Sequence, residues 1–286
     1  MTLTFSLAGR RTGSKLRTRD FDPLFVISLA LCLLIVAFAV VGPLMVSHSP
    51  EETDILSGNQ GPSAAHWFGT DQLGRDIFAR TAAGARLSLL APTVIVALSS
   101  LAAVFLALVS SWFGGWVDTS ITRVLDILFA FPSLLFALIA VAVFGTGAMA
   151  PILALALAYV PYLARLARVE ARRERNAPYI AACSLLGMSG TRVALRHMLP
   201  SLWPVMRTQA AITFGGALTD FAAISFIGLG VQAPSPEWGA MVSSGRTSLL
   251  DGHPEEALFP GLLIVVTVVA FNLLADRLAK REEGAR

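Results

Sequence analysis

An all-α protein that crosses a membrane six times is the fold this sequence predicts, on three observations. Of its 286 residues 55% are hydrophobic and only 14% charged, where a soluble domain carries about a quarter. Its apolar residues gather into runs long enough to span a bilayer. Its Lys and Arg residues concentrate between alternate runs, as cytoplasmic loops do. Cys32 and Cys183 lie in an apolar run and a polar segment, so no disulfide framework is implied. The first apolar run is too long for a secretory signal and lacks a small-residue cleavage site after it.

Residues 1–23 are a basic tail with Arg10, Arg11, Lys15, Arg17 and Arg19. Residues 24–46 carry no charge and, at roughly 1.5 Å per residue, reach about 34 Å, enough to cross the hydrocarbon core. The second span is 87–109 and the third 126–144, with Asp126 and Arg123 as a charge pair at its inner end. After a Gly145-Thr146-Gly147 turn a shorter fourth span covers 148–163. The fifth is 205–230 and the sixth 257–274, followed by a basic tail, 275–286. With the N-terminus inside the cell, 18 of the 22 Lys and Arg residues fall in inner segments, which places both termini in the cytoplasm. Pro92, Pro132, Pro151, Pro161 and Pro260 mark kinks or span ends, read equally as packing bends or as gating points. Small residues such as Gly215-Gly216-Ala217 permit close helix approach.

The outer connection 47–86 contains His66-Trp67-Phe68-Gly69-Thr70-Asp71-Gln72-Leu73-Gly74-Arg75-Asp76. Thr70 is the expected N-cap of a helix in the headgroup layer, with Asp71 and Arg75 as an i,i+4 pair on its wet side. The sharper reading makes this helix a contact surface for an external partner. In the second outer loop, 231–256, Pro234 and Pro236 interrupt any helix. Trp238 reads as an interface anchor, and Glu237, Asp251, Glu255 and Glu256 make an acidic face suited to a partner or a cationic substrate. Asp220, inside the fifth span, reads either as a pathway residue or as a hydrogen-bonded link to a neighbouring helix.

Between the fourth and fifth spans, 164–204 is a long polar segment flanked by apolar runs. Arg165, Arg168, Arg172, Arg173 and Arg175 crowd its first third, offset only by Glu170 and Glu174, and extend the fourth span into the cytoplasm. A short helix, a turn at Gly187 with φ > 0 and a second short helix closed by Pro200 follow. Ile180, Cys183, Leu186, Val193, Leu195 and Met198 give each half a greasy side, a docking surface for another protein. The chain has no Gly-x-x-x-x-Gly-Lys-Ser/Thr loop for ATP phosphates. Its four histidines lack metal-ligand spacing, and no Ser-His-Asp or Cys-His set stands out. No enzyme activity, metal site or nucleic-acid binding is expected.

The hairpin resembles the cytoplasmic loop of permease subunits in binding-protein-dependent ABC importers. That loop reads Glu-Ala-Ala, three residues, Gly, nine residues, Ile, one residue, Leu-Pro. Here Ala181, Ala182 and Cys183 stand at the Glu-Ala-Ala positions, Gly187 at the glycine, His197 at the Ile and Leu199-Pro200 at the end. The acidic residue is missing, so any salt bridge it forms in the family is not carried over. The run His66 to Asp76 is similar to the His-x-x-Gly-Thr-Asp-x-x-Gly-Arg-Asp signature of the dipeptide, oligopeptide and nickel permeases. Ala130-Phe131-Pro132-Ser133, Pro161-Tyr162-Leu163-Ala164-Arg165, Ser225-Phe226-Ile227-Gly228-Leu229-Gly230, Pro236-Glu237-Trp238-Gly239 and Leu258-Phe259-Pro260-Gly261 also resemble that group, in order along the chain. The first outer connection favours the second permease subunit, the C type.

The resemblance implies a type I ABC importer (MetI-like) permease fold in a bacterial cytoplasmic membrane. It implies a second homologous permease, two cytoplasmic ATPase subunits that hold the ATP and Mg, and an external solute-binding protein. Tyr179, Ala181, Ala182, Cys183, Gly187, Arg196, His197, Leu199 and Pro200 would form the ATPase-coupling loop. Asp220, Phe226 and Gly228 would lie at a gate or pathway, and Asp71, Arg75, Glu237 and Trp238 would meet the binding protein. Peptides are the expected cargo, with nickel or a metal chelate as the alternative. A secondary transporter would need more ionisable residues near the midplane than Asp220 alone, and would leave the Arg-rich hairpin unexplained.

Overall fold

The computed structural model describes residues 23–46 and 49–283. The basic tail expected before Pro23 and the last three residues of the C-terminal tail lie outside the described residues. Four segments, Pro23–Leu44, Ile77–Phe113, Met149–Arg175 and Glu255–Arg281, are each long and apolar enough to cross a membrane, and a bent helix pair, Gly115–Phe129 with Ser133–Phe144, makes a fifth if it is one span. The chain is a multi-pass membrane protein.

Helix α1 (Pro23–Val41) is apolar on all sides, and its exposed Leu33, Leu34 and Val40 suit lipid contact. Helix α2 (Ile77–Phe113) starts on Asp76, whose side chain accepts the Ala79 N–H at 2.7 Å, and runs far beyond the expected span 87–109. Helices α3 (Gly115–Phe129) and α4 (Ser133–Phe144) replace the single expected span 126–144. They meet at 81°, because Pro132 has no N–H to continue the ladder and sits extended at ψ 138°. Helix α5 (Met149–Arg175) continues the expected fourth span without a break through all five arginines. Its 27 residues rise about 40 Å, roughly 10 Å more than a hydrocarbon core. Helix α8 (Leu199–Phe226) occupies the place of the fifth span, but it carries Arg207, Gln209 and Asp220 and is not among the segments long and apolar enough to cross. Helix α9 (Trp238–Leu250) and helix α10 (Glu255–Glu283) complete the bundle.

Two buried clusters hold these helices. One joins Ile95, Leu155, Phe214, Phe221, Ile224 and Trp238. The second joins Ala103, Ala107, Leu163, Ala164, Ala167 and Ala171 to Ile180, Val193, Met198 and Leu202. Helices α2 and α5 run through both. Ala164, Ala167 and Ala171 recur at helical spacing and are fully buried, so the backbones approach closely and dispersion replaces a hydrophobic drive that lipid does not supply.

The outer segment differs from its expectation. Among the described residues between α1 and α2 there is no headgroup-layer helix; residues 66–76 form a compact turn instead. Thr70 caps nothing helical: its hydroxyl donates to the Ser57 carbonyl at 2.5 Å and accepts the Gln60 N–H at 2.9 Å. Asp71 and Arg75 are buried rather than wet, with Arg75 Nε donating to Asp71 Oδ2 at 2.6 Å. Asp71 also accepts the N–H groups of Leu73 and Arg75, and His66 Nδ1 lies 2.8 Å from Asp76 Oδ2. Gly74 has φ +72°, and a Cβ there would strike the Asp54 carbonyl. Each polar residue of the signature is thus used inside the chain. A turn without ladder hydrogen bonds must satisfy its buried groups through side chains.

The second outer loop is held the same way. Glu237 is fully buried and caps α9, accepting the Gly239 and Ala240 N–H groups at 3.0 and 2.9 Å and the Ser88 hydroxyl at 3.0 Å. Burial pushes its carboxyl above the usual range, opposed by those donors. Trp238 is no interface anchor: it is fully buried and its indole N–H donates to the Thr81 carbonyl at 2.9 Å. Gly84 lets the Glu237 backbone come close to α2, where a Cβ would stand 3.3 Å from it, and Gly239 does the same toward Ala222 of α8. Glu256 is buried as well, accepting from Ser244 and Ser248. Of the four acids expected to form an acidic face, Asp251 is exposed, Glu255 half-buried and the other two internal.

Glu237→Ala leaves the start of α9 uncapped and the Ser88 hydroxyl without its acceptor, a loss of about 2 kcal/mol. The thermal unfolding midpoint in detergent should fall by several degrees, and Glu237→Gln, which keeps one acceptor oxygen, should fall less. Equal midpoints for wild type and the alanine variant would rule out this role.

Candidate functional site

The hairpin after α5 is built from a short helix, α6 (Pro178–Leu185), a turn, and a second helix, α7 (Gly190–Val193). Pro178 starts α6 at a position whose N–H needs no partner. Gly187 ends it at φ +78°, with Met188 N–H donating to the Cys183 carbonyl and Gly187 N–H to Ser184, both at 3.1 Å. That bond pair is a Schellman cap, which wants glycine at this position. Pro200 does not close the second helix. Helical backbone runs from α7 through a π-helical turn, Ala194–Met198, directly into α8, where Pro200 sits in the first turn. A proline cannot donate back to the preceding turn, and a widened turn accommodates the freed carbonyl.

The hairpin has two faces rather than one greasy side per half. Ile180, Val193 and Met198 are fully buried in the second core cluster. Leu185, Leu186 and Leu195 are 90%, 82% and 62% exposed. Ala181, Ala182, Arg196, Leu199 and Pro200 are also exposed, with Cys183 and His197 half-buried. Tyr179 packs edge-on to the His197 ring at 5.9 Å and its hydroxyl donates to Glu174, so α6 is tied both to the π turn and to α5. The expected coupling residues therefore lie together on one hairpin. Leu186 lies on the expected docking face, whereas Leu185 beside it, the more exposed of the two, was not expected there; two adjacent leucines at a turn are the sequence signal that marks it.

Contacts that tie the hairpin to the bundle escaped the sequence reading too. A Cβ on Gly190 would run into the indole of Trp112, at the end of α2. Arg175, at the end of α5, stacks over the same ring at 4.4 Å. One turn earlier, Asp118 of α3 accepts from Arg168 and Ser110 at 2.5 Å and pairs with Arg172, while Arg168 Nε donates to Ser110 at 2.9 Å. Asp126 pairs with Arg165 at 2.7 Å, not with Arg123. The arginines of α5 thus hold α2 and α3 at the base of the hairpin, a half-buried network whose partners constrain one another's geometry.

Asp220 lies where α8 meets α4 and α5. Its Oδ2 accepts from Ser133 at 2.8 Å and from Tyr159 at 3.0 Å. Gly216, one turn away, leaves room for that tyrosine: a Cβ there would stand 2.9 Å from its hydroxyl. Phe226 and Gly228 lie exposed at the end of the same helix, Gly228 at φ +80°. The four residues expected to meet a binding protein, Asp71, Arg75, Glu237 and Trp238, have no outer face in this chain, being 0–6% exposed. They shape the outer loops from within.

Residues 95–283 match the model of the binding-protein-dependent transport system inner membrane component, and residues 22–62 match that of the N-terminal membrane domain of oligopeptide transport permease C. The chain is 40% identical over 258 residues to the dipeptide transport system permease protein DppC of Alkalihalophilus pseudofirmus, covering 90% of this chain and 84% of that one. It is 38% identical to the probable D,D-dipeptide transport system permease protein DdpC of Escherichia coli K12, over 89% and 85% of the two chains. It is 37% identical to the glutathione transport system permease protein GsiD of Pectobacterium atrosepticum, over 86% and 82%. A crystal structure of an amino acid ABC transporter with histidines superposes with a TM-score of 0.51 at 17% identity, covering 71% of this chain and 94% of that one, a likeness of fold alone. A family model spanning the bundle and the hairpin, with relatives at this identity along most of the chain, leads to one conclusion: the chain belongs to the binding-protein-dependent transport system inner membrane components.

Proposed function

We propose that this chain is one of two permease subunits of an ATP-driven importer of dipeptides and related short peptides in a bacterial cytoplasmic membrane. The observation that carries the reading is the hairpin: its inner face is locked into the bundle while Leu185 and Leu186 stand almost fully exposed at its tip. Exposed leucines on a segment with arginines on either side are not a lipid surface; they fit an apolar groove on a cytoplasmic protein. A chain without a phosphate loop of its own needs such a partner to use ATP, so the ATP and Mg belong on two ATPase subunits. Six spans with both termini inside follow from the charge split if α8 and the bent α3–α4 pair each cross. The relatives' names favour peptides over nickel as cargo, and selection by an external binding protein follows from the family.

The coupling step is mechanical. ATP draws the ATPase subunits together, and the hairpins seated on them move. Differential contact between the two states is what shifts the equilibrium between inward and outward opening. The Trp112–Gly190 contact and the Asp118–Arg168–Arg172 network make α5, the hairpin and α2 move as a unit. The test is reconstitution of this chain with its second permease, ATPases and binding protein in liposomes: peptide should stimulate both ATP hydrolysis and uptake, and stimulation by nickel chelates alone would overturn the peptide assignment.

Two variants probe the hairpin. The double substitution Leu185→Asp, Leu186→Asp should leave membrane insertion intact and remove the ATPases from the purified complex. Retention of stoichiometric ATPase would contradict the docking role. Gly187→Val forces a β-branched residue to positive φ, a strain of about 1–2 kcal/mol, and should lower uptake and ATPase association together; unchanged uptake would show that the turn does not need its glycine.

A further inference from the structure

We propose that Asp220 is a subsite for the primary ammonium of the peptide in transit, the amino terminus of the cargo. The proposal rests on the reading of the chain as a peptide permease and assigns one residue of its pathway.

Asp220 is the only acid in residues 199–226. Both hydrogen bonds it accepts come from neutral hydroxyls and fall on the same oxygen, Oδ2. Its Oδ1 accepts none from the described residues, nor does any Lys or Arg among them form an ion pair with it. The nearest basic residue along α8 is Arg207, thirteen positions away and about 20 Å along the axis. The carboxylate is half-buried, not sealed. An acid at membrane depth that faced hydrocarbon with one oxygen open and no counter-charge would cost several kcal/mol, so such groups face a cavity or a partner cation.

The face of α8 that carries Asp220 is unlike a lipid face. Gln209, Ile212, Gly216, Thr219, Asp220 and Ala223 recur at three- and four-residue spacing and are exposed or half-buried. On α1 the exposed positions are all apolar instead, chiefly Leu, Val, Ile and Ala. Gly216 and Ala223 flank the acid by about one turn on each side, and neither places a large side chain beside it. The donor set selects the ligand. A divalent cation seeks several carboxylates, and only one is offered here. A primary ammonium has three N–H groups. Asp220 Oδ1 would take one, and the hydroxyl oxygens of Tyr159 and Ser133, which donate to Oδ2, keep lone pairs for the others. Charge-assisted bonds of this kind are the strong ones.

The experiment uses the complete reconstituted complex and two peptides, alanyl-alanine and N-formyl-alanyl-alanine, each at a concentration that saturates the binding protein. Wild type should import the free amine about tenfold faster, the discrimination expected for one charge-assisted contact. Asp220→Asn should bring the ratio near one, chiefly by slowing the free-amine peptide, and Asp220→Ser should do the same if the asparagine variant expresses poorly. Tyr159→Phe, which keeps the charge but removes one of the three acceptors, should lower the preference only in part and leave it above that of the Asp220 variants. An unchanged ratio in the Asp220 variants overturns the assignment while leaving peptide import intact. No peptide uptake by wild type overturns the import reading and the subsite with it. Separation of the two permeases on size exclusion in Asp220→Asn would identify the carboxylate's partner as a basic side chain of the second subunit, which also overturns the proposal.

Discussion

Where α2 meets α5, alanines on both helices remove the side chains that would hold the backbones apart. Ala103 and Ala107 face Ala164, Ala167 and Ala171, all fully buried. Within a bilayer no hydrophobic force drives helices together, so close packing and buried polar contacts must do it. The consequence is a stiff pair that runs from the outer loops to the hairpin. At one end Ser88 and Thr81 of α2 hold Glu237 and Trp238. At the other, Trp112 of α2 and Arg175 of α5 hold the hairpin. The loop around Glu237 and the hairpin are therefore tied to the same helix pair, one at each end.

The same stiffness explains how polar residues are spent. The His66–Asp76 signature and the Glu237-Trp238 pair lie in loops, and yet their functional-looking side chains point inward. They close turns that have no helix or sheet ladder to satisfy their backbone groups. Asp220 is spent differently. It holds two helices through one oxygen, while the other accepts no hydrogen bond from the described residues.

Much of this was legible in the sequence. Uncharged runs and the Lys and Arg asymmetry marked the membrane helices, because hydrocarbon tolerates little else. The hairpin was legible from its glycine and its spacing. What stayed hidden depended on distance between chain segments. Nothing at Gly190 says that it needs to be small until Trp112 is placed against it, and Arg165 reads as a surface charge until Asp126 comes within 2.7 Å. The wet-side reading of Asp71 and Arg75 failed because i,i+4 spacing presumed a helix, where the chain instead makes a turn around the Asp71 carboxylate. The closing role given to Pro200 failed because a π turn lets the helix pass through it.

The central claim is that the tip of the hairpin seats in the ATPase. A photo-crosslinking amino acid placed at Leu186 in the membrane-embedded complex tests it directly. Capture of an ATPase subunit is expected, with the yield changing when ATP is added. Capture of lipid or of the second permease alone, with no ATPase adduct in either nucleotide state, would contradict it.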